Sequence, residues 1–503
     1  MKNVLLTLIL ACCVSLYTNA QQILFEHSFG CDLFDAFRGC AFTYDSTRVV
    51  AVGGSRSSCG DVPGHHGGGD AWICEIDLAT GVVWKKNYGS SVFDEFTGII
   101  QNQNGGYTCF GQTVPFDWLI MEVDNLGDSV WKKTYGGSGT EYCNGMVPTE
   151  DKGYIVAGYT SSTDGDISHL KGVADIWVVR LDSVGNIVWE KTYGGSETDG
   201  AESIVRTFDG NYLIGGWSGS ADGDRNFNYG ITDAWLIKID GQGNLLWQKS
   251  YGGSSVETAA KIVQTSDSGF VVAGWSKSDD IDLSQNSGEE DVWIFKIDQT
   301  GNLQWQKSFG GSNTDEAEAV ACSKEGGYMI VATTESNDGD VVGHHGATDI
   351  WAIKLTDSGT LEWQRPIGGW DYESGTTGLL QSSDSAYILV SSSGFPDGDI
   401  STDLGDRDGW LVKLATLSTN IENPFPAGEL TFNIYPNPAR TSVVIQGISG
   451  TAKAVLYAVT GSIVREVYLL PDNSLSIEGL DSGLYYLQIQ TEEGSGVKPI
   501  FIL

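Results

Sequence analysis

Lysine and arginine are scarce. The 503-residue chain carries 29 of them against 65 aspartates and glutamates, a net charge of −36 at neutral pH. Binding a phosphate backbone needs basic stripes, so nucleic acid is not an expected partner. Two readings of the acidic surface stand side by side: plain solvation, or attraction of divalent cations or a basic partner. Beyond residue 20 no segment approaches the ~20 uninterrupted apolar residues of a membrane-spanning helix, so no transmembrane segment is expected. No CxxC pair is present, which removes zinc-finger and thioredoxin-like readings. Gly-x-Ser-x-Gly and HExxH are also missing, and no single histidine stands with a partnered nucleophile. Acids are too abundant for one pair to stand out as a glycosidase dyad, so no catalytic residue is assigned.

What is abundant is glycine, 66 residues, and aromatic residues, 11% of the chain. Glycine serves tight turns and large aromatics suit pleated surfaces, so the expected class is all-β. The first twenty residues carry Lys2, an apolar run from Val4 to about Tyr17, and Thr18-Asn19-Ala20 before Gln21. That is the pattern of a secretory signal cut after Ala20, and residues 1–20 are assigned to it. A lipoprotein reading at Cys12 leaves Val14 to Tyr17 unexplained. Cys12 and Cys13 leave with the signal, and the mature chain keeps Cys31, Cys40, Cys59, Cys74, Cys109, Cys143 and Cys322, an odd number.

An aspartate just before a tryptophan recurs seven times: Asp70/Trp72, Asp117/Trp118, Asp175/Trp177, Asp233/Trp235, Asp291/Trp293, Asp349/Trp351 and Asp408/Trp410. The tryptophan spacings are 46, 59, 58, 58, 58 and 59, the signature of a repeat architecture. One unit reads Asp175-Ile-Trp-Val-Val-Arg-Leu-Asp, a Ser-Val-Gly-Asn turn, then Ile187-Val-Trp-Glu-Lys-Thr-Tyr-Gly-Gly, which is a hairpin. Two more strands follow, from Asp199 and from Tyr212 to Trp217. Four strands per unit in seven units is the strand count of a seven-bladed β-propeller, assigned to residues 21–415.

The ends of the chain fit a ring. The last unit stops after Trp410-Leu-Val-Lys-Leu, one strand short, while Ile23-Leu-Phe-Glu-His-Ser-Phe-Gly matches Asn302-Leu-Gln-Trp-Gln-Lys-Ser-Phe-Gly. The N-terminal strand is therefore expected to complete the last blade and remove its exposed edge. The glycine- and alanine-bearing strand near residues 199–207 goes innermost, where the axis is crowded. Cys31 and Cys59 then fall in loops at one end of blade 1 and form the expected disulfide.

The repeat text over roughly residues 22 to 415 resembles the bacterial secreted, glycine-rich β-propeller repeat proteins. That likeness implies the fold and no particular ligand. The tail from about Asn423 is different. It carries Tyr435-Pro436-Asn437-Pro438, Gly461 and Gly483-Leu484-Tyr485 in order, and it resembles the C-terminal sorting domain of the type IX secretion system of Bacteroidetes. The resemblance implies contact with the secretion machinery, passage across the outer membrane, removal of the domain, and release or surface attachment. The final Lys498-Pro-Ile-Phe-Ile-Leu is less basic than is common there. Residues 416–429 are assigned as a linker and 430–503 as the sorting domain, a small β-sandwich by its alternating Val443/Ile445 and Tyr485/Leu487/Ile489.

Three sets of candidate site residues emerge. Ten positions past the second-strand aromatic, every blade carries an acid: Asp35, Asp94, Glu141, Asp199, Glu257, Asp315 and Glu373. These either ring the channel mouth and collect a cation, or accept backbone N–H bonds between blades. Asp-Gly-Asp loops supply a second set, with Asp164, Asp166 and Asp175, Asp222, Asp224 and Asp233, and Asp338, Asp340 and Asp349 as candidate calcium ligands; the other reading is turns closed by aspartate. His65-His66 and His344-His345 read as exposed loop residues. The third set breaks the symmetry: blades 3, 4 and 5 carry Tyr159, Trp217 and Trp275 where the others have Gly54, Gln112, Thr333 and Ser392. Aromatic faces stack on sugars, and packing under the loops is the plainer reading. The sequence thus points to an exported, non-enzymatic propeller that binds a glycan or protein, with no cofactor beyond calcium; the alternative is a secreted carbohydrate-active enzyme.

Overall fold

A computed structural model of the chain describes residues 22–415 and 432–502, apart from 63, 226, 403, 437, 438, 449–451, 459–462, 470–472, 478, 481, 482, 492 and 493. The expected signal sequence, the linker and the motif residues Asn437, Pro438 and Gly461 lie outside them. The chain divides into two compact units, Met1–Thr416 and Leu417–Leu503. Among the described residues the structure is all-β and contains no helix.

The first unit holds seven antiparallel four-stranded sheets. Each begins with an inner strand: Asp35–Phe42, Asp94–Gln101, Glu141–Pro148, Asp199–Arg206, Glu257–Gln264, Asp315–Cys322 and Ser374–Gln381. In the fourth sheet the order outward is Asp199–Arg206, Tyr212–Ser218, Asp233–Ile239, Leu245–Tyr251. Six sheets are continuous in sequence. The seventh takes its outer strand from the other end of the unit, where Ile23–Phe29 pairs antiparallel with Asp408–Leu414. Inner strands pack on inner strands in a cycle, each on the next, and Ser374–Gln381 packs on Asp35–Phe42.

The third strand of each sheet is covered on both faces, which explains its continuous apolar text. Trp72, Trp118, Trp177, Trp235, Trp293, Trp351 and Trp410 are all fully buried. The outer hairpin turns close as their sequence asks: Asp182 Oδ1 accepts the Val184 and Asn186 N–H groups at 3.0 and 2.7 Å, and Gly185 takes the positive φ of 76°. The hydrophobic cores lie between sheets. One joins Phe29, Phe37, Trp72 and Ile76 to Ile388, Val390 and Leu411, so the seam between the seventh and first sheets is packed like the others.

Each inner strand carries a register shift near its middle, which leaves Arg38, Thr97, Asn144, Glu202, Ala260 and Glu318 out of the ladder. A bulge re-aims the side chain of the extra residue. These positions sit where the inner strands converge.

The second unit consists of a three-stranded sheet (Asn433–Tyr435, Ser442–Gln446, Ser474–Ser476) and a four-stranded sheet (Ile463–Tyr468, Lys453–Ala458, Gly483–Thr491, Gly494–Ile502). Its core gathers Phe432, Val443, Ile445, Leu456, Leu475, Leu487, Ile489 and Ile500. Tyr435 is exposed at 69%, the 435–436 peptide bond is cis, and Tyr485 packs against the core.

Candidate functional site

The inner-strand acids are buried braces. Asp199 accepts Ser218 Oγ through Oδ1, and Ser220 Oγ and the Gly195 N–H, both at 2.8 Å, through Oδ2. Glu141 repeats the pattern with Thr160 at 2.7 Å, Ser162 at 2.5 Å and the Gly137 N–H at 3.1 Å. Asp35, Asp94, Glu257, Asp315 and Glu373 accept the equivalent backbone N–H groups at Cys31, Ser90, Gly253, Gly311 and Gly369. All seven are shut off from solvent. Of their two roles, the geometry carries the tie between sheets.

The loop acids divide in a way the text did not suggest. Asp164, Asp222 and Asp338 accept the N–H groups of Ser138, Ser196 and Ser312, each at 2.7 Å. Asp166, Asp224 and Asp340 accept those of Gly136, Gly194 and Gly310 at 3.1, 3.0 and 3.3 Å. Each loop therefore clamps the Gly-Gly-Ser that leaves the preceding sheet. Asp175, Asp233 and Asp349 belong to the following joint: Asp175 and Asp199 flank Gly194, where an added Cβ would lie 2.3 and 2.6 Å from their carboxylate oxygens. Asp166 and Asp175 share a loop and serve opposite sides of it. Among the described residues, no three of these carboxylates bring ligand oxygens within 4.8 Å of one another; the group that does meet that test is Cys31, Asp32 and Cys59. Both its sulfurs are spent in the Cys31–Cys59 disulfide.

Burial has an electrostatic consequence at these joints. Asp175 Oδ2 accepts the Lys171 N–H at 2.6 Å, but Oδ1 has no hydrogen-bond partner, as in Asp70, Asp117, Asp233, Asp291 and Asp349. Loss of water, with Asp199 and Asp224 nearby, pushes the Asp175 carboxyl up to about 6. Burial raises Asp291 to about 6 and Glu373 to about 7. The second histidine of each Gly-His-His-Gly loop has a local partner: His66 Nδ1 lies 2.8 Å from Asp70 Oδ2, and His345 Nδ1 2.9 Å from Asp349 Oδ2.

The aromatic residues form a wall. Tyr159 faces Tyr142 across the third sheet with ring centres 5.0 Å apart at 25°, Tyr142 stacks on Phe116 at 5.8 Å, and Tyr159 meets Trp217 edge-on at 6.2 Å. Trp217 lies over Gly200 and Trp275 stands opposite Thr258 in the next sheet. All of Tyr142, Tyr159, Trp217 and Trp275 are half-buried. Tyr142 and Phe116 extend the set that the sequence identified.

Beside the wall is a polar cluster that sequence reasoning missed. Glu202 Oε1 accepts the Trp217 indole N–H and Oε2 accepts the Asn144 amide, both at 3.1 Å. Lys261 Nζ donates to the Glu202 carbonyl at 3.1 Å. Burial next to Glu316 pushes the Glu318 carboxyl up to about 7, with Lys261 opposing the rise. Arg38 Nε closes the far side on Glu95 at 2.8 Å. The available signal was the bulge position three residues past each inner acid, which reads Arg, Thr, Asn, Glu, Ala and Glu in the first six sheets and so breaks the repeat.

Comparison with known proteins adds the following. Residues 433–503 match the secretion system C-terminal sorting domain family. Regulatory protein FlaEY of Caulobacter vibrioides is 26% identical over 198 residues, covering 37% of this chain and 19% of that protein. Among solved structures, the β-propeller domain of Cps50 (Swd1) from Myceliophteria thermophila has a TM-score of 0.44 at 12% identity, over 79% of this chain and all of that one. The Pan2 WD40 domain of Neurospora crassa gives 0.43 at 10% identity, over 77% and 95%. An extracellular domain from B. thetaiotaomicron gives 0.43 at 12% identity, over 95% of this chain and 57% of that one. No helix among the described residues is long and apolar enough to cross a membrane. The C-terminal segment is a type IX secretion sorting domain, and the protein is accordingly secreted or attached at the cell surface.

Proposed function

We propose that the first unit is a closed ring of seven blades, finished by the N-terminal strand, and that it binds a glycan or protein ligand on the aromatic wall without turning it over. The observation that carries this reading is the continuous run of exposed Phe116 and half-buried Tyr142, Tyr159 and Trp217, flanked by the Asn144–Glu202–Lys261 cluster. Rings in that state stack on a flat apolar face, and the amide and carboxylate beside them take hydroxyl or amine groups. The arc is confined to neighbouring sheets, as a binding site on a repeated scaffold should be.

Glycan-array binding by the mature protein is the test. Alanine at Trp217 and at Trp275 is expected to weaken binding at least tenfold with the melting temperature nearly unchanged. Undiminished binding by both variants would remove the wall from the site. A second reading, a carbohydrate-active enzyme, rests on Glu318, whose carboxyl burial raises to about 7 near Glu202, which burial raises as well. Product release from a polysaccharide panel, abolished by Glu318→Gln, would select it. Calcium ordering of the Asp-Gly-Asp loops belongs to the same proposal; a chelator-sensitive melting temperature would support it.

A further inference from the structure

We infer that a second site, separate from the aromatic wall, lies between the second and third sheets at their hairpin-turn end and takes a neutral polyhydroxylated ligand, a single sugar residue. A cavity of about 370 Å³ opens there, and Gln101, Asn102, Asn104, Glu122, Lys152 and Tyr154 line it.

Its origin is legible in the repeat. In four of the other six sheets an acid in the turn between the first two strands meets a long cationic side chain on the third strand: Asp209 with Lys238 at 2.6 Å, Asp267 with Lys296 at 2.5 Å, Asp384 with Lys413 at 2.7 Å, and Asp151 with Arg180. In the second sheet the turn position is Asn104 and the strand position is Glu122, which meet weakly at 3.4 Å. A shorter side chain of opposite charge stands where five of the other six sheets carry a lysine or arginine; the first sheet also has a glutamate there, Glu75, but Arg48 closes on it at 2.9 Å. The volume of that missing arm is left open.

The lining suits hydroxyl groups. Glu122 Oε2 takes the Trp131 indole at 2.8 Å, and its Oε1 has only the long Asn104 contact, so acceptor capacity remains. Gln101 lines the cavity, and its amide nitrogen has no hydrogen-bond partner in the protein, so a small rotation of the half-buried side chain offers a donor. Asn102 is oriented by Thr108 at 2.9 Å and by the Tyr154 hydroxyl at 3.2 Å. Amides that donate and accept on one wall match hydroxyls, which do the same. Lys152 offsets the Glu122 charge, and with one of each sign the cavity favours a neutral guest over an anion.

Saturation-transfer NMR on the mature protein with glucose, galactose, mannose, xylose and N-acetylglucosamine at millimolar concentration tests the inference. At least one of these sugars is expected to bind saturably. The double variant Asn104→Asp/Glu122→Lys installs the pair found in four of the other repeats and fills the space. It should lose binding at least tenfold while melting no lower than the parent. Gln101→Met, which deletes the outstanding donor without changing volume, should weaken binding independently, and Trp217→Ala should leave it intact. No binding by any of the five sugars, binding that survives the double variant in a folded protein, or loss of binding in Trp217→Ala alone would each overturn the inference.

Discussion

Arg225 is the residue at which the repeat and its chemistry part company. The equivalent position in five other loops is a buried apolar anchor: Val62, Ile167, Leu283, Val341 and Ile400. Arg225 is as buried as they are, bonds the Ser218 carbonyl and Ser250 Oγ at 2.7 Å, and pairs with Asp233 at 2.7 Å. The five apolar equivalents precede the same buried strand-opening aspartate, so leucine at 225 restores an arrangement the other loops already use, whereas alanine also leaves a void. Arg225→Leu is therefore expected to change stability by less than about 1 kcal/mol, and Arg225→Ala to cost about 3 kcal/mol. Denaturant unfolding of the two variants checks both. Gly194→Ala should cost a similar ~3 kcal/mol, because its Cβ would enter the space of two buried carboxylate oxygens. At this scale the sequence was a partial guide. Tyr159, Trp217 and the seven tryptophans could be located by counting, but Glu202 and Glu318 could not, since one bulged residue shifts the facing of everything beyond it.

Among the elements, the strand Ile23–Phe29 and the disulfide behind it determine how the first unit ends. Gly30 occupies the joint between Asp408 and Asp35, as Gly194 does between Asp175 and Asp199, so the N-terminal strand reproduces the repeat down to one contact. In the third sheet the clamp on this joint is the Asp164 bond to the Ser138 N–H. In the first sheet the equivalent loop carries Cys59, and the clamp is the covalent bond to Cys31. Closing a 28-residue separation stabilises by about 3–4 kcal/mol through the unfolded state. Cys31→Ser/Cys59→Ser should lose roughly that much, read as a lower denaturant midpoint that reductant no longer shifts. An unchanged midpoint would show that the seam does not need it. The strand match was visible in Ser28-Phe29-Gly30; its pairing register with Asp408–Leu414 was not, because sequence carries no distance between the ends of a chain.

For the whole molecule, buried acids set the response to pH. Asp175 and Asp291 rise to about 6 and Glu318 and Glu373 to about 7, above their unfolded values near 4. A raised carboxyl favours folding when protonated, so this contribution is complete below about pH 4 and is lost as pH climbs through 6 to 7. Asp267 and Asp384, held down to about 2 by Lys296 and Lys413, act in the opposite sense and lose their contribution as pH falls from about 4 towards 2. Calorimetry across pH 3 to 9 should find maximum stability between about pH 4 and 6. A melting temperature that climbs steadily to pH 8 would contradict that assignment. The architecture rests on one further claim, that the two ends of the first unit hold each other. Guanidinium unfolding of residues 21–503 with and without residues 21–30 measures it directly. The account predicts a lower midpoint and a broadened or split transition once the strand is gone; superimposable curves would contradict it.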